Sequence, residues 1–144
     1  MVAQARRSFP DLPVLFMSGY AEEQLRKLNL PPALIDQIRS EAGNSMLLDN
    51  GDVIQGNPMG DYIAYEKGLD DAPHPVIAAM NVLGYEAGTL GNHEFNYGLD
   101  FLAAALKGAS FPFVSANIVN ADGTPFAEPY RIIEKQLTDG SGAT

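Results

Sequence analysis

Cysteine is absent from this 144-residue sequence, which excludes disulfides, zinc fingers and a cysteine nucleophile. Basic residues are scarce: nine Lys and Arg stand against eighteen Asp and Glu, for a net charge of −9. Nucleic-acid backbones are gripped by Lys and Arg that neutralise phosphates, so this balance argues against such a partner. A small anionic substrate stays open if a bound metal supplies local positive charge. No apolar run approaches the ~20 residues that span a bilayer, so no membrane association is expected. The apolar stretch after Arg6 and Arg7 is broken by Pro10 and Pro13. It therefore lacks a signal-peptide core, and the sequence as written implies a cytoplasmic location. There is no internal repeat or low-complexity tract. Histidine occurs only twice, as His74 and His93.

What is present reads as an ordinary globular chain. Apolar residues make up 46% and charged residues 19%, enough for one domain with a real core. Residues 1–9 suit a short helix stopped by Pro10-Asp11-Leu12-Pro13. Residues 14–17 suit a buried strand, and residues 21–28 a helix. Asn29-Leu30-Pro31-Pro32 is the best junction, because Pro-Pro cannot continue a helix. Beyond it, Leu34, Ile35 and Ile38 share one face of a predicted helix over 33–42, capped by Gly43. Further helices are predicted over 57–67, 75–83 and 99–106, with Pro75 near a first turn. Strands are predicted over 45–49, 86–90, 111–118 and 130–137, the last entering a turn with no strand after it. This order predicts an α/β fold, a mostly parallel sheet flanked by helices. Ligands of such sheets collect at the carboxyl ends of the strands, where Asp52 and Asn92-His93 fall.

The residues able to do chemistry are few. Asp52 follows Gly51, which permits a tight turn and close ligand approach, and its carboxylate suits a divalent cation. Asp49-Asn50-Gly51-Asp52 is equally a sequence of turn formers. Asn92 offers a neutral carbonyl oxygen. His93 offers an imidazole able to bind metal, move a proton near pH 7 or stabilise charge; it also reads as a plain surface histidine. Glu94 could pair with either neighbour or face solvent. His74, between Pro73 and Pro75, is either structural or a further metal ligand.

Taken together, Gly91-Asn92-His93-Glu94-Phe95-Asn96-Tyr97-Gly98, Leu47-Leu48-Asp49-Asn50-Gly51-Asp52, Gln55-Gly56-Asn57-Pro58 and Gly60-Asp61-Tyr62 resemble the calcineurin-like metallophosphoesterases. The resemblance covers residues ~34–137. It is narrowest to the branch containing 5′-nucleotidases and 2′,3′-cyclic-nucleotide 2′-phosphodiesterase/3′-nucleotidases, which is periplasmic. It implies that Asp52 bridges two metals, Asn92 binds the second, and His93 sits beside the scissile phosphate. Asn96 stands where 5′-nucleotidases carry an Asp that orients this histidine. An Asn can still accept from the imidazole but gives an imidazolium no charge support.

The family's opening Asp-x-His strand, its later lone His and its Gly-His-x-His segment have no counterpart here, nor has its nucleoside-binding domain. Help in metal binding is therefore expected from Asp49, His74, Glu94 or a second subunit. Residues 9–23 resemble instead part of a response-regulator receiver domain, with Ser18 at the phosphate-sensing position but no acceptor Asp. The expected organisation is a receiver-like fragment, residues 1–30, packed onto a truncated metallophosphoesterase-like segment, residues 31–144, as one folded unit. The unpaired strand edge near Gly142 invites pairing with another chain, so a homodimer is expected. The function expected is a metal-dependent phosphohydrolase of low, broad activity. It would use one or two divalent ions (Mn²⁺, Zn²⁺ or similar) on a small phosphate ester or cyclic-nucleotide-like substrate. The alternative is a non-catalytic fragment with a vestigial metal site.

Overall fold

A parallel ribbon of short strand contacts carries the functional loops, and helices cover it. The computed structural model describes residues 32–138 and 142–143. The receiver-like residues 1–30, with Ser18 and the expected strand and helices there, lie outside the described residues.

Helix α1 (Pro32–Glu41) buries Ile35 and is tied down where Arg39 Nη2 donates to Gly84 O at 3.1 Å. Helix α2 (Pro58–Tyr62) starts at Asn57, whose Oδ1 accepts from Gly60 N at 2.8 Å, and runs into one π-helical turn, Ile63–Lys67. Helix α3 (Pro75–Leu83) ends at Gly84 in a left-handed conformation, φ 68°, as a helix C-terminus favours. Helix α4 spans Leu99–Leu106 and buries Leu102 and Ala105 completely.

Among the described residues the sheet is parallel, as the sequence order implied, but its strands are much shorter. Leu48 bridges Ala87, β1 (Gly88–Thr89) pairs with β2 (Phe113–Val114), and Val114 bridges Glu128, all in parallel. Residues predicted to extend the third strand turn away after Ser115. There Phe126 N bonds Ile118 O and Asn120 N bonds Thr124 O, folding a local turn around Asp122. Local hydrogen bonds thus replace ladder bonds over 117–126.

The last predicted strand survives only as β3 (Lys135–Gln136), which pairs antiparallel with β4 (Gly142–Ala143). The absence of any strand after Leu137 was therefore a wrong expectation. The edge on which a homodimer was expected is occupied, at these residues, within the same chain. Lys135 also docks this hairpin: its Nζ donates to Ser45 O at 2.8 Å and pairs with Glu86 at 2.7 Å.

The core gathers Ile35, Leu47, Ile54, Ile77, Met80, Tyr85, Leu90, Leu102 and Phe111. Ile54 and Leu90 matter most for function. Each belongs to the core and lies close in sequence to a loop residue of interest, so burial anchors both loops at their roots.

Candidate active site

Two loops, 49–57 and 91–98, meet at the carboxyl ends of adjacent strands. The first leaves its strand at Asp49, which is buried; its backbone N donates to Ala87 O at 3.0 Å and its Oδ2 accepts from Gly51 N at 2.9 Å. The carboxylate thus closes its own turn, a favoured use of Asp in a loop. Burial raises its pKa from 3.8 to about 6, and the negative charges of Glu94 and Asp52 push the same way against hydrogen bonds from Gly51 and Asn50.

Gly51 (φ 86°) and Asp52 (φ 62°) follow in successive left-handed conformations. That is easy for glycine and mildly strained for Asp. The strain is matched by close packing. A Cβ at Gly51 would lie 3.0 Å from Gly91 Cα, and one at Gly91 would lie 2.6 Å from Asp52 Cγ. Only a pair of glycines lets these backbones approach so closely.

Glu94 holds the contact. It is completely buried. Its Oε2 accepts from Asp52 N at 2.7 Å and Gly91 N at 2.6 Å; its Oε1 accepts from Val53 N at 2.6 Å and Ile54 N at 3.4 Å. A buried carboxylate needs such donors, and both oxygens are engaged by backbone. The expectation of Glu94 as a metal ligand therefore gives way to a different role, a clamp between the loops. The reverse tie runs from His93 N to Asp52 Oδ1, 2.9 Å across 41 residues. One Asp52 oxygen is thereby committed to the backbone, in a half-buried side chain.

Asn92 opens a 3₁₀ turn (His93–Phe95), and its side chain is exposed beside Asp52's partner His93. The His93 imidazole is half-buried. Its Nδ1 lies 2.8 Å from Gln55 Oε1 and 2.9 Å from Asn96 Nδ2, and Asn96 Nδ2 also donates to Gln55 Oε1. Asn96 accordingly reaches His93, and Gln55 Oε1 lies against the same ring nitrogen. Sequence reasoning gave Gln55 no role; its place just after the buried Ile54, in the loop that carries Asp52, was the available signal. Beyond it, the Tyr97 hydroxyl donates to Asp61 Oδ1 at 2.6 Å, and burial followed by the Asp61 contact raises the Tyr97 pKa. The Tyr97 ring packs edge-on against Tyr65 and Phe101, at 5.4 and 5.3 Å.

His74 does not join the cluster as a ligand. Its ring is fully buried, Nδ1 accepts from Val76 N at 3.2 Å to cap α3, and the ring packs edge-on against Phe101 at 5.9 Å. Desolvation lowers its pKa. The helix start needs an acceptor for its free N–H groups, and His74 Nδ1 fills that need. Among the described residues, no group of three or more His, Asp or Glu could hold a metal ion.

No protein-family model matches the chain, but individual proteins do. Over 127 residues it is 47% identical to a 2′,3′-cyclic-nucleotide 2′-phosphodiesterase/3′-nucleotidase of Yersinia enterocolitica, spanning 85% of this chain and 19% of that protein. The protein of the same name from Salmonella typhimurium is 54% identical over 112 residues, 76% of this chain and 17% of the relative. The crystal structure of the calcineurin-like phosphoesterase YfkN from Bacillus subtilis is similar with a TM-score of 0.69 at 48% identity, covering 78% of this chain and 35% of that one. A segment of the chain is thus similar in sequence and fold to phosphoesterases of this kind.

That segment spans under a fifth of the curated relatives it matches, 19% and 17% of their lengths. The calcineurin-like segment is an incomplete α/β domain whose parallel ribbon presents the paired loops described above. Among the described residues, no helix is long and apolar enough to cross a membrane.

Proposed function

We propose that the chain contributes to metal-dependent hydrolysis of small phosphate esters, phosphodiesters and cyclic-nucleotide-like molecules among them. The observation that carries this reading is the 2.9 Å bond from His93 N to Asp52 Oδ1. It joins the loop that carries the Asp52 carboxylate to the loop that carries the His93 imidazole. The names of the relatives, phosphodiesterases and nucleotidases, support the same reaction class.

The donor set fits part of a metal shell. The second Asp52 oxygen and the Asn92 side-chain carbonyl are hard oxygen donors suited to divalent cations. Asp49 lies behind them in its own turn and adds negative charge. Such a cation, Mn²⁺, Zn²⁺ or a similar ion, one or two in number, supplies Lewis acidity and positive charge beside the phosphoryl group when bound.

The chain's own residues do the rest. Glu94 fixes the loop spacing, and the shared tie between His93 and Asp52 holds the imidazole next to the anionic centre. His93 is placed to stabilise charge on a phosphoryl oxygen or pass a proton to a leaving group. With few oxygen donors at the site, the activity is low and broad in substrate.

A second reading has one observation in its favour, the lack of a three-residue His, Asp or Glu cluster among the described residues. On that reading the chain is a folded, non-catalytic segment with a vestigial metal site. Chelator-treated protein resupplied with Mn²⁺ or Zn²⁺ decides between them. Hydrolysis of bis(p-nitrophenyl) phosphate is expected, together with a loss of about 100-fold or more in Asp52→Ala and His93→Ala. A rate unchanged by both substitutions sinks the hydrolase reading.

A further inference from the structure

Gln55 stands at the junction of the two polar networks in the site. Its loop is pinned on both sides, by the fully buried Ile54 and by the Asn57 cap of α2. One end of its amide faces His93 and Asn96. Beside it, the Tyr97 hydroxyl is donated to Asp61 Oδ1 at 2.6 Å. The end that faces them is Oε1, which accepts from Asn96 Nδ2 and lies 2.8 Å from the His93 ring.

Two nitrogens, His93 Nδ1 and Asn96 Nδ2, then converge on Gln55 Oε1. A carbonyl oxygen has lone pairs for two donors. It cannot sit 2.8 Å from a ring nitrogen that itself presents a lone pair without repulsion. The 2.9 Å spacing of Asn96 Nδ2 and His93 Nδ1 follows from both donors sharing one acceptor.

We infer that Gln55 is a positioning residue: it fixes the His93 ring and holds its proton on Nδ1, so that the ring's lone pair lies on Nε2. The inference deepens the hydrolase reading and rests on it for its catalytic meaning, since a proton taken up at Nε2 is the one His93 would direct to a phosphoryl oxygen or pass to a leaving group. His74 supplies an internal contrast. Its Nδ1 accepts from Val76 N, which puts its proton on Nε2. The chain's only two histidines should therefore be opposite tautomers.

Long-range ¹H–¹⁵N spectra of the metal-free 144-residue chain test this directly, at about pH 8.5, two units above the ordinary imidazole value. The two ring patterns are assigned by the loss of one in His93→Ala. The expected result is an Nδ1–H pattern for His93 and an Nε2–H pattern for His74. In Gln55→Leu the His93 pattern moves to the Nε2–H form that free imidazole favours in water. Gln55→Glu, which keeps an acceptor, restores the Nδ1–H form. Backbone amide spectra check folding, and if Gln55→Leu does not fold the wild-type tautomer alone decides.

An Nε2–H pattern for His93 in the wild type, or an unmoved Nδ1–H pattern in a folded Gln55→Leu, overturns the proposal. In the hydrolysis assay Gln55→Leu is expected to lower kcat about 10- to 100-fold with KM little changed, as loss of an outer partner does. A folded variant with unchanged kcat also counts against it. Should the wild type hydrolyse nothing, the hydrolase reading fails while the tautomer spectra still decide the role of Gln55.

Discussion

The loop pair 49–57 and 91–98 and the C-terminal stretch 128–138 are built on opposite terms. In the first, one buried carboxylate takes four backbone amides and two glycines allow the chains to touch. In the second, the backbone is held mainly at its ends, by the Val114 bridge to Glu128 and the Lys135 contacts. Between them Tyr130 and Ile132 are 72% and 66% exposed. The difference separates residues that order a site from residues that merely continue the chain. A polar group with many partners in a dry place is hard to replace; a large apolar side chain in water is not.

The sharpest way to break this contrast is Glu94→Ala. It strands three amides within 2.7 Å of a charged acceptor and a fourth at 3.4 Å. Bonds to charged groups contribute about 1.5–3 kcal/mol each, so a loss of about 4 kcal/mol or more in urea unfolding is expected. That is a large part of the 5–15 kcal/mol of a typical domain. A loss below about 1 kcal/mol would mean that water replaces the clamp.

Next in size is a pH effect in the metal-free chain. The Asp49 carboxyl is raised from 3.8 to about 6 by burial, so the folded state holds its proton more tightly than the unfolded state. Its contribution to stability is fully present below about pH 3.8 and is lost as pH rises through 6. The total is about 3 kcal/mol. Asp49→Asn keeps an oxygen for Gly51 N and should flatten that portion of the curve. An identical pH dependence in wild type and variant would remove Asp49 from the account.

The C-terminal stretch should respond weakly. Lys135→Met removes the half-buried pair with Glu86 and the bond to Ser45 O, for about 1 kcal/mol. Tyr130→Ser should stay within about 0.5 kcal/mol of wild type. Thermal melts rank the two, and a Tyr130 effect larger than the Lys135 effect would reverse the comparison.

Much of this was legible beforehand. The helices at 75–83 and 99–106 match their sequence boundaries because Pro75, Gly84 and the apolar spacing act locally. The meeting of Asp52 with Asn92-His93 was readable from strand order and motif. The short strands were not, since the turn around Asp122 draws residues 117–126 into local bonds. Nor were the jobs of Glu94 and His74. A carboxylate and an imidazole look like ligands in a one-dimensional string, whereas burial beside unpaired amides makes them a clamp and a cap.

By itself, then, the sequence determined the elements, their parallel order and the two loops that carry chemistry, because capping, periodicity and turn preferences act over a few residues. It also identified which residues could bind a cation. Only the tertiary structure decided which of them are already committed. Glu94 spends both oxygens on backbone, Asp52 spends one on His93 N, and Gln55 takes the His93 Nδ1 edge. Those assignments depend on partners 38 to 42 residues away, and distance in space, unlike local propensity, is set by packing.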